Sequence, residues 1–287
     1  MQTVLAFGEI LWDVFGEDSK IGGAPLNFAA HFAKLGGKSY MVSAVGKDNL
    51  GTDALDIVGG FGIDTSYVAT LDVPTGRCNV TLKGGSPLYD LQTGVAYDYI
   101  PMPHVTESFD ALYYGSLACR NAVSYQTLLD IIKNADVKER FFDVNIRQNY
   151  YTSELLDTLT KSATILKISR EEMNVYGIGS PETVAKALMQ KYANLRLVIV
   201  TLDKDGGMLV ARDGSIVYSR KPNVVPVSTV GGGDSFSACM LISLLNGYDY
   251  KPALDRAATL ADYVVTQLGA IPDYSIDLKL KLGISQS

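Results

Sequence analysis

The chain has 287 residues, 47% hydrophobic and 20% charged, with 25 basic and 31 acidic side chains and a formal net charge of −6. That length suits one large α/β domain over 1–287 with a small appendage, and the acidic balance argues against sequence-independent nucleic-acid binding, which needs a basic footprint. No apolar run reaches the roughly eighteen residues of a membrane span, and MQTVLAFGEILWDVF reads as a first strand, not a signal peptide, so a cytoplasmic protein with a small-molecule partner is expected.

In chain order, β-branched runs at 4–8 (VLAFG), 39–46 (SYMVSAVG), 111–116 (ALYYGS), 140–145 (RFFDVN), 164–169 (TILKIS) and 195–202 (LRLVIVTL) predict strands. Helical patterns fall at 26–35, 49–61, 124–134, 153–161, 181–192 and 251–267. One more follows Ser235, where Phe236, Met240, Leu244 and Leu245 share one helix face and Gly247 supplies a stop. The alternation implies βαβ units and a doubly wound, mostly parallel sheet with helices on both faces, which takes ligands beyond the carboxyl ends of its strands. Residues 77–100 break the pattern with period-two character and turn signals at Gly84-Gly85 and Gly94. They predict a β-hairpin that joins a strand around 11–15 to form a lid.

Cys78, Cys119 and Cys239 lie far apart with no CxxC, which points to reduced, structural thiols. With only His31 and His104, a histidine-rich metal site is excluded, and His31 in its helical run reads as a packing or surface residue.

Two glycine clusters carry the chemistry. In STVGGGDSF, Gly231, Gly232 and Gly233 precede an apolar helix, so free backbone N–H groups and the positive end of the helix dipole make an anion site. Asp234 is out of place beside an anion unless it takes a proton from something attacking a phosphate; the simpler reading is a helix cap. In IGGAPLNFAAHFAKLGG, Gly22-Gly23 turn the chain, Pro25 suits a first helical turn and Gly36-Gly37 end the helix, holding Asn27 at its start. Asp13 closes an apolar strand as a turn residue or hydroxyl acceptor.

Together GGAPLNFA and TVGGGDSF closely resemble the two signatures of the ribokinase-like (PfkB) carbohydrate kinases. GEILWDVF, DVNIRQNYY and LKISREEM between them resemble the fructokinase-type branch, so the likeness spans nearly the whole chain. It implies a ribokinase-like fold, ATP with Mg²⁺, and phosphorylation of a sugar primary hydroxyl, most simply that of fructose. It also implies that Asp234 is the catalytic base, that Gly231, Gly232 and Gly233 form the anion hole, and that Asp13, Gly23 and Asn27 hold sugar hydroxyls. Arg147 looks like the family's arginine near substrate or phosphate; a keto-acid substrate would require a carboxylate clamp, for which Arg147 and Arg77 are the candidates. Lys167, Thr201, Gly206 and Gly233 would line the nucleotide site, and Glu172 matches the acid associated with Mg²⁺. The family's dimers suggest a homodimer through the lid, with Val80, Leu82, Val95 and Tyr97 covering either one another or the protein's own sugar.

Three departures stand out. Ser228 replaces the aspartate of a monovalent-cation site and Gln267 stands where arginine is common in ribokinases, which argues against potassium activation. Asp203 replaces a glycine in TLDKDG, beside the expected nucleotide. Open alternatives are a kinase for 2-keto-3-deoxygluconate or a ribonucleoside, and a catalytically silent sugar or nucleotide binder. A nicotinamide oxidoreductase is set aside for want of a GxGxxG after the first strand.

Overall fold

The computed structural model describes residues 1–16, 18–83, 86–220 and 224–284. Strand β1 (Thr3–Phe7) sits mid-sheet with both faces buried: Val4 and Ala6 face one core, Leu5 and Phe7 the other. A strand covered twice cannot alternate polar with apolar residues, hence the unbroken VLAF. Next come β2 (Leu11–Phe15), β3 (Asp18–Gly22), α1 (Ala24–Lys34), β4 (Lys38–Gly46), α2 (Asn49–Gly60), β5 (Ile63–Asp64), β6 (Val68–Leu71), β7 (Gly76–Lys83) and β8 (Ser86–Leu91). The chain continues through β9 (Phe109–Tyr114), α3 (Ala122–Asn134), β10 (Val137–Asp143), α4 (Ser153–Ser162), β11 (Ile165–Ser169), α5 (Pro181–Lys191) and β12 (Leu197–Thr201). It closes with β13 (Gly207–Ala211), β14 (Ile216–Tyr218), α6 (Gly232–Leu245), α7 (Tyr250–Val265) and α8 (Ile276–Lys281).

The large sheet runs β14-β13-β12-β11-β10-β9-β1-β4-β5, with β6 also on β4, and is parallel except where β13 and β14 join it. Helices α3, α4 and α5 cover one face; α1, α2, α6, α7 and α8 cover the other. The second sheet, β3-β2-β7-β8, is the expected lid with two differences. Its edge strand β3 (DSKIG) is largely exposed and carries no apolar alternation to announce it. Its hairpin ends at Leu91, after which Ala96–Tyr99 form a 3₁₀ helix in place of the expected strand, with Val95 and Tyr97 in the chain's own core, 2% and 0% exposed. Those two side chains therefore cover neither a second lid nor a sugar. The turn glycines at 84–85 and the side chains of Val80 and Leu82 lie outside the described residues.

Helix α6 corrects a second expectation. Its residues from Ser235 to Ser243 are buried on every side, where one apolar face was predicted, because α1, α7 and the sheet enclose it. A helix surrounded in this way is held rigidly at its start.

Candidate active site

The site assembles at the carboxyl edge of the parallel strands. Helices α2, α3, α4, α5 and α8 each begin with a side-chain oxygen capping a backbone N–H, whereas α6 has none. Its N-cap is Gly231, left-handed at φ +80°, where an added Cβ would lie 2.6 Å from the Ala270 carbonyl oxygen. Only glycine fits there; Gly232 N donates to the Thr229 carbonyl oxygen at 3.4 Å, and the next two amides, of Gly233 and Asp234, point on at the positive end of the dipole with no backbone partner among the described residues.

Asp234, in that first turn, is half-buried. Burial pushes its carboxyl up to about 6, helped by the nearby Asp143 charge and opposed by the Asn27 hydrogen bond, Lys167 and Arg147. Asn27 Nδ2 donates to Asp234 Oδ2 at 2.8 Å, while Asn27 Oδ1 is buried with no partner. An orphan acceptor next to a poised acid is a place for a hydroxyl donor. Asn27 is held in α1 beside Gly23, whose φ is +118° and whose Cβ, if present, would lie 2.3 Å from the Glu9 carbonyl oxygen. Asp13 faces the same space from β2, accepting from the Cys78 thiol across the β2–β7 pair, and burial raises its carboxyl.

Beneath α6, Lys167 Nζ lies 3.0 Å from Asp143 Oδ1, and Ser237 Oγ donates to Asp143 Oδ2 at 2.8 Å. Lys167 is 7% exposed, and a Cβ at Gly233 would sit 3.3 Å from its ammonium. Burial works against that ammonium, but Asp143 and Glu172 outweigh it and hold the proton on. Lys167, expected to face the nucleotide phosphates, is buried with its nitrogen engaged by Asp143, and its charge lies beside Gly233 of the glycine turn. Glu172 is likewise engaged, one oxygen accepting from Ile146 N and the other from Ser169 N, both at 2.8 Å. It clamps the ends of β10 and β11, and no cluster of three or more metal-ligating side chains occurs among the described residues.

Arg147 is exposed on the loop after β10, flanked by Asn145 and Gln148 at φ 44° and 49°. Its charge lowers the carboxyls of Glu9, Asp13 and Asp234. Arg77 is not brought to this cluster. It pairs with Trp12 in the β2–β7 register, one residue out of step with Asp13 and Cys78, so it projects from the opposite lid face and lies near Asp48. Thr201 ends β12 with its carbonyl taken by Arg170 N, and Gly206 closes the following turn at φ +89°. Asp203 occupies that turn at φ +51°, a left-handed position that aspartate tolerates better than most residues. Ser228 Oγ accepts from Val230 N, and the Ser228 and Val227 amides share the Val265 carbonyl.

Sequence reasoning missed Glu9, which is 2% exposed. Burial pushes its carboxyl up to about 7, against its hydrogen bonds to the Glu9 and Ala24 backbone N–H groups and the Arg147 charge. The Gly8-Glu9 pair just after β1 was the available signal. It also missed Asp143, read only as part of DVNIR.

An α/β sheet beside a small second sheet, an uncapped glycine helix start and a half-buried acid is an arrangement suited to phosphoryl transfer. The chain matches the pattern of the pfkB family carbohydrate kinases over residues 5–277 and belongs to that family, phosphotransferases acting on sugar hydroxyls. It is 27% identical to the ATP-dependent 6-phosphofructokinase of Thermoanaerobacterium thermosaccharolyticum, covering 94% of this chain and 90% of that one. It is also 27% identical to the fructokinase of Vibrio alginolyticus, covering 94% and 95%. Among solved structures it resembles a sugar kinase of Pyrococcus horikoshii in complex with ATP, at 26% identity and TM-score 0.76 over 93% of this chain and 94% of that one. Fructokinase from Xylella fastidiosa with bound ATP shares the fold at TM-score 0.86 and 21% identity, over 98% and 97%.

Proposed function

We propose that this protein transfers the terminal phosphoryl group of ATP to a primary hydroxyl of a ketose, fructose first. The carrying observation is Asp234: a half-buried carboxylate poised near 6 within the uncapped first turn of α6 and tied to Asn27. In this reading the sugar oxygen forms its bond to the γ-phosphorus, the bond to the β-bridging oxygen breaks with ADP leaving, and the hydroxyl proton passes to Asp234. Asn27 occupies one carboxylate oxygen and leaves the other to the proton. The open amides of Gly233 and Asp234 stabilise charge on the transferring group, and the buried Lys167 adds positive potential from below. Asp13, the Gly23 backbone and the orphan Asn27 Oδ1 hold sugar hydroxyls. Thr201 and Gly206 border the nucleotide. Mg²⁺ would come with ATP as its chelate and neutralise charge on the phosphates. With Ser228 in place of a carboxylate, no potassium dependence is expected.

A second substrate class, a sugar acid such as 2-keto-3-deoxygluconate or a sugar phosphate, is favoured by one observation. Arg147 is exposed at the site and makes no ion pair among the described residues. ADP release from MgATP should be measured over fructose, fructose 6-phosphate, 2-keto-3-deoxygluconate, ribose, glucose and ribonucleosides. One sugar is expected to turn over, and Asp234→Asn to lower that kcat by about 10²- to 10⁴-fold. Binding of sugar and ATP with no turnover would replace the kinase with a silent binding protein.

A further inference from the structure

Helix α1 carries a second polar line into the interior, beyond Asn27. His31, one turn further along and 0% exposed, places Nε2 2.8 Å from the Ala270 carbonyl oxygen and Nδ1 2.6 Å from the Tyr274 hydroxyl. A carbonyl can only accept, so Nε2 carries the proton and Nδ1 accepts from Tyr274. Burial holds the imidazole down to about 4, reinforced by the Lys34 charge against the Ala270 hydrogen bond, so the ring is neutral. Lys34, three residues on, reaches the Pro272 carbonyl at 3.0 Å and Asp273 Oδ1 at 2.9 Å. Asn27, His31 and Lys34 follow the i, i+4, i+7 spacing of one helix face, and the last two strap the 270–273 segment to α1.

The other side of that segment is the anion hole. A Cβ on Gly231 would meet the Ala270 oxygen at 2.6 Å and its Cα at 2.7 Å, so the carbonyl that takes the His31 N–H is also the surface on which the left-handed turn rests. We propose that His31 is a positioning residue for phosphoryl transfer. By tying Ala270 to the helix that also holds Asp234 through Asn27, it fixes the Gly231 turn and the aim of the amides that follow it. The proposal rests on the kinase reading above. An apolar side chain could fill the same volume, but it would leave a buried carbonyl and hydroxyl unpaired and the turn free to shift. Displacements on the order of 1 Å at a phosphoryl group are costly to the rate.

The test compares the full-length wild type with His31→Leu, which removes both hydrogen bonds, and His31→Gln, which keeps an N–H donor near the Nε2 position. With the sugar found in the panel, His31→Leu should lower kcat about 10- to 100-fold and move the sugar KM by less than about twofold, with His31→Gln recovering most of kcat. Hydrogen–deuterium exchange needs no turnover: in His31→Leu the peptide 229–236 should exchange faster while 238–245 is unchanged. Wild-type kcat in His31→Leu, a loss confined to sugar KM, a His31→Gln as impaired as His31→Leu, or unchanged exchange at 229–236 would each overturn the proposal. So would a loss of protection spread along all of α6, which marks mere packing. A wild type that phosphorylates nothing overturns the kinase reading instead, and with it the catalytic half of the proposal, while exchange still decides the tether.

Discussion

A carboxylate that accepts a proton near neutral pH needs a higher pKa than an exposed aspartate has, and burial supplies that rise at Asp234. The sign is direct. Below about 6 Asp234 is protonated in the free protein and cannot act as base, so kcat/KM should fall as pH drops through that value and level off above it. Asn27 donates to the ionised form and holds the pKa down, so Asn27→Leu should move this acid limb to higher pH. Initial rates from pH 5 to 8 check both, and a limb that Asn27→Leu leaves in place would remove Asp234 as its source. At this scale the sequence was partly legible. The acid after the glycines, the asparagine in its capped helix and the odd Asp203 could all be picked out, the last now accommodated by a left-handed turn. Glu9 and His31 could not, because an acid and an imidazole acquire shifted pKa values only from what buries them.

At the level of elements, α6 shows how a missing cap becomes a feature. Helices α2, α3, α4, α5 and α8 begin with Asp, Asn, Thr or Ser caps, whereas Gly231 has no side chain to close the Gly233 and Asp234 amides of α6. Gly231→Ala must force a left-handed alanine against Ala270. It should cost on the order of 1–3 kcal/mol of stability by urea denaturation and lower kcat by more than about tenfold. A variant with normal stability and rate would show that the turn relaxes without consequence. The lid shows the opposite case. β7 and β8 announced themselves by alternation, but β3 is an exposed edge with little to bury, and the 3₁₀ helix at Ala96–Tyr99 forms because Val95 and Tyr97 have a core to enter.

Across the molecule, the 3₁₀ segment that follows the small sheet is held by a buried ion pair. Arg120 Nε meets Asp98 Oδ1 at 2.7 Å, the two side chains are 5% and 2% exposed, and the guanidinium lies 4.9 Å from the Tyr97 ring and 4.6 Å from the Tyr150 ring. Tyr150, three residues beyond Arg147, donates to the Leu91 carbonyl at the lid root, so lid and strand-end loop share a support. Arg120→Met leaves Asp98 buried without its partner and should cost about 3–5 kcal/mol in urea denaturation, part of it regained by adding Asp98→Asn. Additive losses would mean the two side chains do not act as a pair. The sequence by itself determined most helix ends and strands, the parallel α/β class and the glycine turns, since these depend on neighbours a few residues away, while the short α8 went unread. Only the tertiary structure decided that Asn27 meets Asp234 across 207 residues, that Lys167 pairs with Asp143, that Arg77 faces away from Asp13, and that α6 is enclosed. Those outcomes depend on strand register and on which surfaces lose water, and both are set by segments far apart in the chain.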